Sequence, residues 1–279
     1  MPHPLRIASL TVFAMLAFAS NSLLCRIALR DTAIDAASFT SIRLISGAAL
    51  LAILMMGRGK RPLAGGTWRA AAMLFAYAVT FSFAYRQLTA ATGALLLFGA
   101  VQMTMLGYGL AAGERLRGLQ WLGLLVALSG LIGLLLPGLA APPLVSAILM
   151  LAAGAAWGVY SLLGRGVTDP VAGTAGNFLR AVPFTVVLSL ATVTHASFDT
   201  MGVLYAVASG AITSGLGYVL WYAALPAFKA ASAATIQLSV PALAALGGVL
   251  LLNEPLSLRL LIASVAILGG IALVILRRR

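Results

Sequence analysis

Long apolar runs alternate with short polar gaps along the whole of this 279-residue chain. Ten runs are read, at 5–29, 36–57, 68–88, 92–112, 119–136, 144–163, 171–193, 202–224, 230–252 and 256–276. Each is close to the roughly 20 residues with which a helix crosses about 30 Å of hydrocarbon. Within a run the apolar residues are continuous rather than alternating, so helices, not barrel strands, satisfy the backbone. The gaps carry turn and cap chemistry: Gly57-Arg58-Gly59, Pro137-Gly138, Pro142-Pro143, Asp169-Pro170 and Glu254-Pro255. No gap is long enough for a soluble domain. The pattern predicts an all-α polytopic membrane protein with ten transmembrane helices.

Composition agrees. The chain is 62% hydrophobic and 9% charged, where a soluble domain carries about 25% charged residues. The net charge of +12 does not mark a nucleic-acid binder, because the basic residues cluster in the gaps, where they set topology. With the amino terminus inside, one face collects Arg6, Arg58, Lys60, Arg61, Arg69, Arg115, Arg117, Arg165, Lys229 and Arg277-Arg278-Arg279. The other receives Arg26, Arg30, Arg86 and Arg259. Twelve against four predicts both termini in the cytoplasm of a bacterial inner membrane. Arg6 and the run ending Ala17-Phe18-Ala19-Ser20 have the outline of a cleavable secretory signal. The run continues to Arg26, however, and reads as a retained first helix. Cys25, the only cysteine, leaves neither a disulfide nor a cysteine metal site within the chain.

Two stretches repeat one another. Gly113-Glu114-Arg115-Leu116 and Asn253-Glu254-Pro255-Leu256 lie about half a chain apart, each between two apolar runs. At the same offset Gly130 falls on Gly270. Ser22-Leu23-Leu24-Cys25-Arg26 matches Ser161-Leu162-Leu163-Gly164-Arg165, and Arg43 in span two matches Arg180 in span seven. Five spans separate equivalent points, and five is odd. The halves, 1–138 and 139–279, are therefore expected to be inverted copies around a central cavity, as in many transporters. Glu114 and Glu254 are expected to cap span starts.

Several motifs recur in the same order in both halves. They are Ala19-Ser20-Asn21 and Ala156-Trp157-Gly158, the arginines Arg43 and Arg180, and the closing Glu114-Arg115-Leu116 and Glu254-Pro255-Leu256. In this the chain resembles the EamA branch of the drug/metabolite transporter superfamily. Gly93-Ala94-Leu95-Leu96-Leu97-Phe98-Gly99-Ala100-Val101-Gln102 looks like the aromatic amino acid exporters related to YddG. The resemblance implies a basket of helices around a cavity and export by alternating access. Val101 stands where many relatives have proline, as this chain does at Pro241. Span four is expected to be straight and a proline hinge to apply to span nine.

The acids Asp31, Asp35, Glu114, Asp169, Asp199 and Glu254 all lie near span ends. No titratable carboxylate is expected at mid-membrane, where proton-coupled exporters keep one, and His3 and His195 lie outside the spans. The expectation is therefore facilitated transport, and the cargo that the resemblance implies is amino acids, aromatic or neutral, or similar small metabolites, exported. The alternative is an exporter of drugs or nucleoside-type metabolites with proton coupling. No paired acid, metal-ligand spacing or His/Asp/Glu cluster lies within the spans, so an enzyme is not expected, nor a metal or cofactor. Candidate substrate contacts are uncharged: Asn21, Gln102 and Gln237; Tyr77, Phe81 and Tyr85 at helical spacing; and Trp157, Tyr160, Tyr218 and Trp221. Asn177 and Ser214 belong to the same polar set. Aromatic walls suit flat or bulky side chains, although the same spacing also serves core packing. Arg43, Arg180 and Pro241 are assigned structural or gating roles. The two arginines are expected to snorkel or bond helix-end carbonyls, with a carboxylate anchor as their other reading. Partners are a small-molecule substrate and membrane lipid, with a monomer or weak dimer.

Overall fold

In the computed structural model, which describes residues 4–113, 115–116, 118–138, 141–165, 167–228 and 230–276, the apolar runs become helices. These are α1 (Pro4–Asp31), α2 (Ala36–Gly57), α3 (Trp68–Tyr85), α4 (Ala90–Ala111), α5 (Gly118–Leu135), α6 (Leu144–Leu163) and α7 (Pro170–Ala191). Span eight is composite. It runs from α8 (Thr200–Val207) through a π-helical segment (Ala208–Leu216) into α9 (Gly217–Ala224). Span nine is α10 (Ala230–Gln237) and α11 (Ser239–Leu252), and span ten is α12 (Leu258–Leu276). Among the described residues, nine helical segments are long and apolar enough to cross a membrane. The remaining span, α3, carries Arg69, Tyr77, Thr80, Ser82 and Tyr85. It packs between α6, α7 and α2, so it has less lipid to face and tolerates these groups.

Polar side chains in the gaps start the helices. Asp35 accepts the Ala37 and Ser38 N–H groups at 2.9 and 3.0 Å, Thr67 that of Ala70 at 3.1 Å, Asp169 that of Ala172 at 3.1 Å and Asp199 that of Gly202 at 3.1 Å. Each satisfies a donor that has no partner within its own helix. Span nine breaks at Leu238, three residues before Pro241. Proline lacks an N–H and crowds the carbonyl four residues back, here that of Gln237. Span four, with Val101 in place of proline, is continuous. Gly154 and Gly158, spaced as small-xxx-small, form a seam: Cβ atoms there would sit 2.5 Å from the Leu97 carbonyl oxygen and 2.8 Å from Thr104 Cβ, both on α4. A Cβ at Gly113 meets nothing within 4 Å.

Asp35 also ties two loops together, accepting the Ser197 N–H at 2.9 Å while its own N–H donates to the Ser197 carbonyl at 2.9 Å. Burial raises the carboxyl's pKa. Hydrogen bonds from the Ser38 side chain and from the Ser197, Ser38 and Ala37 backbones outweigh it and hold the group below its ordinary value. A depressed carboxyl contributes stability above its unfolded pKa of about 3.9, lost as pH falls through the lower folded value. Asp35→Ala is therefore expected to cost about 1 kcal/mol at pH 7, with the gap from the wild type narrowing below about pH 3.9. Thermal melts in detergent across that range check it, and a gap constant with pH would refute the charge-dependent part.

Candidate functional site

The first helix brings Asn21 to the middle of the bundle. Its Nδ2 donates to the Tyr77 hydroxyl at 3.1 Å, while its Oδ1 accepts from Ser209 at 2.8 Å and Thr213 at 3.3 Å. Ser209 and Thr213 stand on the π-helical segment of span eight. The wider π turn is rare and tends to mark functional places. From α2, Arg43 reaches the same group: Nη2 donates to the Tyr77 hydroxyl at 3.0 Å and Nε to Ser214 Oγ at 3.3 Å. Its guanidinium carbon lies 5.2 Å from the Tyr77 ring centre and 5.0 Å from that of Phe81, within cation–π range. Arg43 is 1% exposed, and its Nη1 has no hydrogen-bond acceptor among the described residues.

Aromatic rings continue from this group along the bundle. Ring centres are 4.7 Å apart for Phe81–Tyr85, 5.2 Å for Tyr77–Phe81, 5.1 Å for Tyr77–Trp157, 4.8 Å for Trp157–Tyr218 and 5.2 Å for the stacked pair Trp157–Tyr160. Phe18 stands edge-on to Trp157, Tyr218 and Trp221. Two cavities flank this wall. One, about 20 Å³, is bounded by Asn21, Tyr77, Phe81, Trp157, Thr213 and Tyr218 among others, with room for about one water. The other, about 380 Å³, lies towards the amino-terminal end of the bundle. Its lining comprises Met105, Trp157, Ser161, Arg165, Trp221, Tyr222, Leu225, Phe228, Ala233 and Gln237. Trp157 borders both and separates them.

The far end of the bundle carries a charge cluster. Arg26 Nε meets Glu254 Oε1 at 2.8 Å, with the side chains 12% and 6% exposed. Arg26 Nη1 also donates to the Tyr85 and Arg86 carbonyls at 3.1 and 3.2 Å. Glu254 Oε2 accepts the Ala90 N–H at 2.7 Å. Glu254 therefore caps the start of α4 rather than of the span that follows it. Glu114, its sequence counterpart, lies outside the described residues, as do Arg117, Lys229 and 277–279.

The structure brings together Asn21, Tyr77, Phe81, Trp157 and Tyr218 at the small cavity, and Trp157, Trp221 and Gln237 at the large one. It sets three others apart. Tyr85 is fully buried and donates to the Ala90 carbonyl at 3.3 Å. Tyr160 accepts from Asn177 Nδ2 at 3.3 Å, while Asn177 Oδ1 takes the Thr67 N–H at 2.9 Å. Gln102 is buried, borders neither cavity, and its Nε2 has no acceptor among the described residues. Arg180 bonds the Gly65 and Gly176 carbonyls at 2.6 and 3.1 Å, one in the loop before α3 and one within its own helix. Arg43 departs from its expectation of snorkelling or bonding carbonyls, because hydroxyls and ring faces from α3 and the π segment let it stay buried. Sequence reading missed Ser209 and Thr213 as Asn21 partners, although their four-residue spacing on one face was visible. It also missed Phe18 as wall and Arg165 as cavity lining. Among the described residues no three His, Cys, Asp or Glu side chains gather where a metal could sit.

Residues 144–276 match the model of the EamA-like transporter family. A Pseudomonas aeruginosa (strain PAO1) protein, "Uncharacterized protein PA1977", is 60% identical over 271 residues, covering 96% of this chain and 94% of that protein. A solved crystal structure superposes over 98% of this chain and 99% of its own with a TM-score of 0.68 at 20% identity, a likeness of fold alone. An all-helical bundle of membrane-spanning length, an internal cavity walled by aromatic rings, and these matches converge: the chain is a multi-pass membrane protein whose residues 144–276 are similar to the EamA-like transporter family.

Proposed function

We propose that the protein exports amino acids with aromatic or neutral side chains across the bacterial inner membrane, by alternating access and down the substrate's own gradient. Both termini then face the cytoplasm, and the 380 Å³ cavity opens towards it. The observation that carries the reading is the composition of that cavity. Trp157, Trp221 and Tyr222 offer ring faces to an apolar side chain, while Arg165, Ser161 and Gln237 offer polar groups to a zwitterion. Its volume falls in the range of about 300–1,000 Å³ typical of small-molecule sites. Facilitation is supported by the acids: among the described residues none stands in the middle of a span. Two inverted five-helix halves are supported by the packing pairs. Exchanging spans one to five with six to ten turns α3 on α6 into span eight on α1, and α4 on α6 into span nine on α1, and all four contacts occur. Alternating access is supported by the Arg26–Glu254 pair, which links helices from both halves at the end away from the cavity.

Proteoliposomes loaded with labelled phenylalanine, tyrosine or leucine are expected to release it without a pH gradient. Strict dependence on that gradient would sink facilitation in favour of the proton-coupled drug or nucleoside reading, and no movement of any amino acid would sink the cargo. Trp157→Ala removes ring contacts worth about 1 kcal/mol beyond the area they bury. Phenylalanine transport is expected to fall about tenfold and leucine transport by less. An equal loss for both would remove Trp157 from side-chain recognition.

A further inference from the structure

We infer that Arg43 is a carboxylate-binding residue at mid-membrane, so that the cargo is an organic anion or zwitterion whose carboxylate docks there in transit. The inference deepens the export reading above and rests on it for the cavity at the amino-terminal end. An arginine held out of water demands compensation, because a buried charge without a partner costs far more than a hydrogen bond. Here the guanidinium lies roughly 10 Å along α2 from its start, by the 1.5 Å rise per residue, and is 1% exposed. What surrounds it is neutral: two hydroxyls, those of Tyr77 and Ser214, and the faces of Tyr77 and Phe81. None of the described carboxylates bonds it: Glu254 pairs with Arg26, Asp31 with Arg30 and Asp169 with Lys60, while Asp35 and Asp199 hold backbone N–H groups. One donor, Nη1, is unsatisfied among the described residues.

The group beside it is built for a polar ligand. Tyr77, whose hydroxyl Arg43 bonds, lines the small cavity with Asn21 and Thr213, which leaves Arg43 itself one side chain back from that space. Arginine presents five donors in a fixed fork, so Nη1 and a donor now spent on a hydroxyl can turn to two carboxylate oxygens. A purely structural arginine finds its acceptors within the protein, as Arg180 does on the Gly65 and Gly176 carbonyls. Trp157 stands between the two cavities. A cargo therefore meets the aromatic vestibule first, and its carboxylate reaches Arg43 as Trp157 and Tyr218 move aside.

Three probes that share a phenyl ring separate the possibilities in the purified full-length protein: L-phenylalanine, 3-phenylpropionate without the amine, and phenethylamine without the carboxylate. Thermal stabilisation and competition against labelled phenylalanine are expected for the first two and not for the third. Arg43→Gln is expected to weaken phenylalanine binding on the order of thirtyfold and to erase the preference over phenethylamine, while Arg43→Lys keeps part of it. Phenethylamine competing as well as phenylalanine in the wild type overturns the inference and leaves amino acid export standing. So does an Arg43→Gln protein that retains the order of preference. Binding of 3-phenylpropionate without phenylalanine keeps the inference and overturns the amino acid cargo. Binding of none of the three overturns both. If Arg43→Gln does not fold, the wild-type series is read with Arg165→Gln: phenethylamine competing as well as phenylalanine in the wild type, or loss of the carboxylate preference in Arg165→Gln, overturns the inference, and a preference that Arg165→Gln retains supports it.

Discussion

Replacing Glu254 by alanine is expected to destabilise the protein by about 3–5 kcal/mol, the loss typical when one partner of a buried ion pair is removed. The carboxylate does two things at once. Oε1 takes the Arg26 Nε at 2.8 Å and Oε2 takes the Ala90 N–H at 2.7 Å, at the first residue of α4. The second contact places negative charge at a helix amino terminus, where the peptide dipoles favour it. Arg26 itself bonds the carbonyls that end α3, and Arg30 Nη1 donates to the Leu252 carbonyl at 2.9 Å. One charge cluster thereby joins α1, α3, α4 and the end of α11. Without Glu254, Arg26 keeps its burial and loses its counter-charge. Replacing both partners by leucine is expected to recover most of the loss, since the penalty is that of the stranded charge rather than of the pair. Denaturation of the two single variants and the double variant in one detergent makes the comparison. A Glu254→Ala loss below about 1 kcal/mol, the value of an exposed pair, would show that this end of the bundle is not held by the pair.

The ten spans were legible because hydrocarbon leaves the backbone few choices, and their starts because Asp35, Thr67, Asp169 and Asp199 stand where helices need acceptors. The break in span nine followed from Pro241. The π segment was not legible. Ser209, Gly210, Thr213, Ser214 and Gly215 are small enough to permit it, but what selects it is packing against α2, which no local signal carries. Arg26 was placed at the outer face and Glu254 near a span end, yet their contact spans more than two hundred residues and joins the two halves of the chain. Arg43 was read as snorkelling or bonding helix-end carbonyls, with a carboxylate anchor as its other reading. It does neither of the first two, because its partners, Tyr77 and Ser214, come from α3 and span eight. Asn21, Tyr77, Trp157 and Tyr218 were singled out by chemistry and spacing, and they line the small cavity; the separation of their surroundings into two cavities depends on where Trp157 points.

Gly210→Val is expected to be the most damaging single substitution in the site region. A Cβ on Gly210 would fall on the Arg43 carbonyl oxygen and on Ser46 Oγ, and 2.7 Å from the Arg43 carbonyl carbon. From the other side, a Cβ on Gly47 would come within 2.9 Å of the Gly210 carbonyl oxygen. Two backbones touch here, the close approach that small residues allow between membrane helices. Backbone cannot swing away as a side chain can, so the π segment must leave α2 to admit valine. That movement pulls Ser214 from Arg43 at 3.3 Å and Ser209 from Asn21 at 2.8 Å, stranding polar groups at mid-membrane. The loss is expected to reach or exceed about 3 kcal/mol, the upper end of overpacking costs. Gly269→Val is the control, because a Cβ there meets nothing within 4 Å, and its effect is expected to stay within about 0.5 kcal/mol. Thermal unfolding of the two variants side by side reads the difference. Equal stability would mean that α2 and the π segment are not locked together. Arg43 would then owe its position to Tyr77 alone, and Tyr77→Phe, which keeps the ring and removes the hydroxyl, would release it.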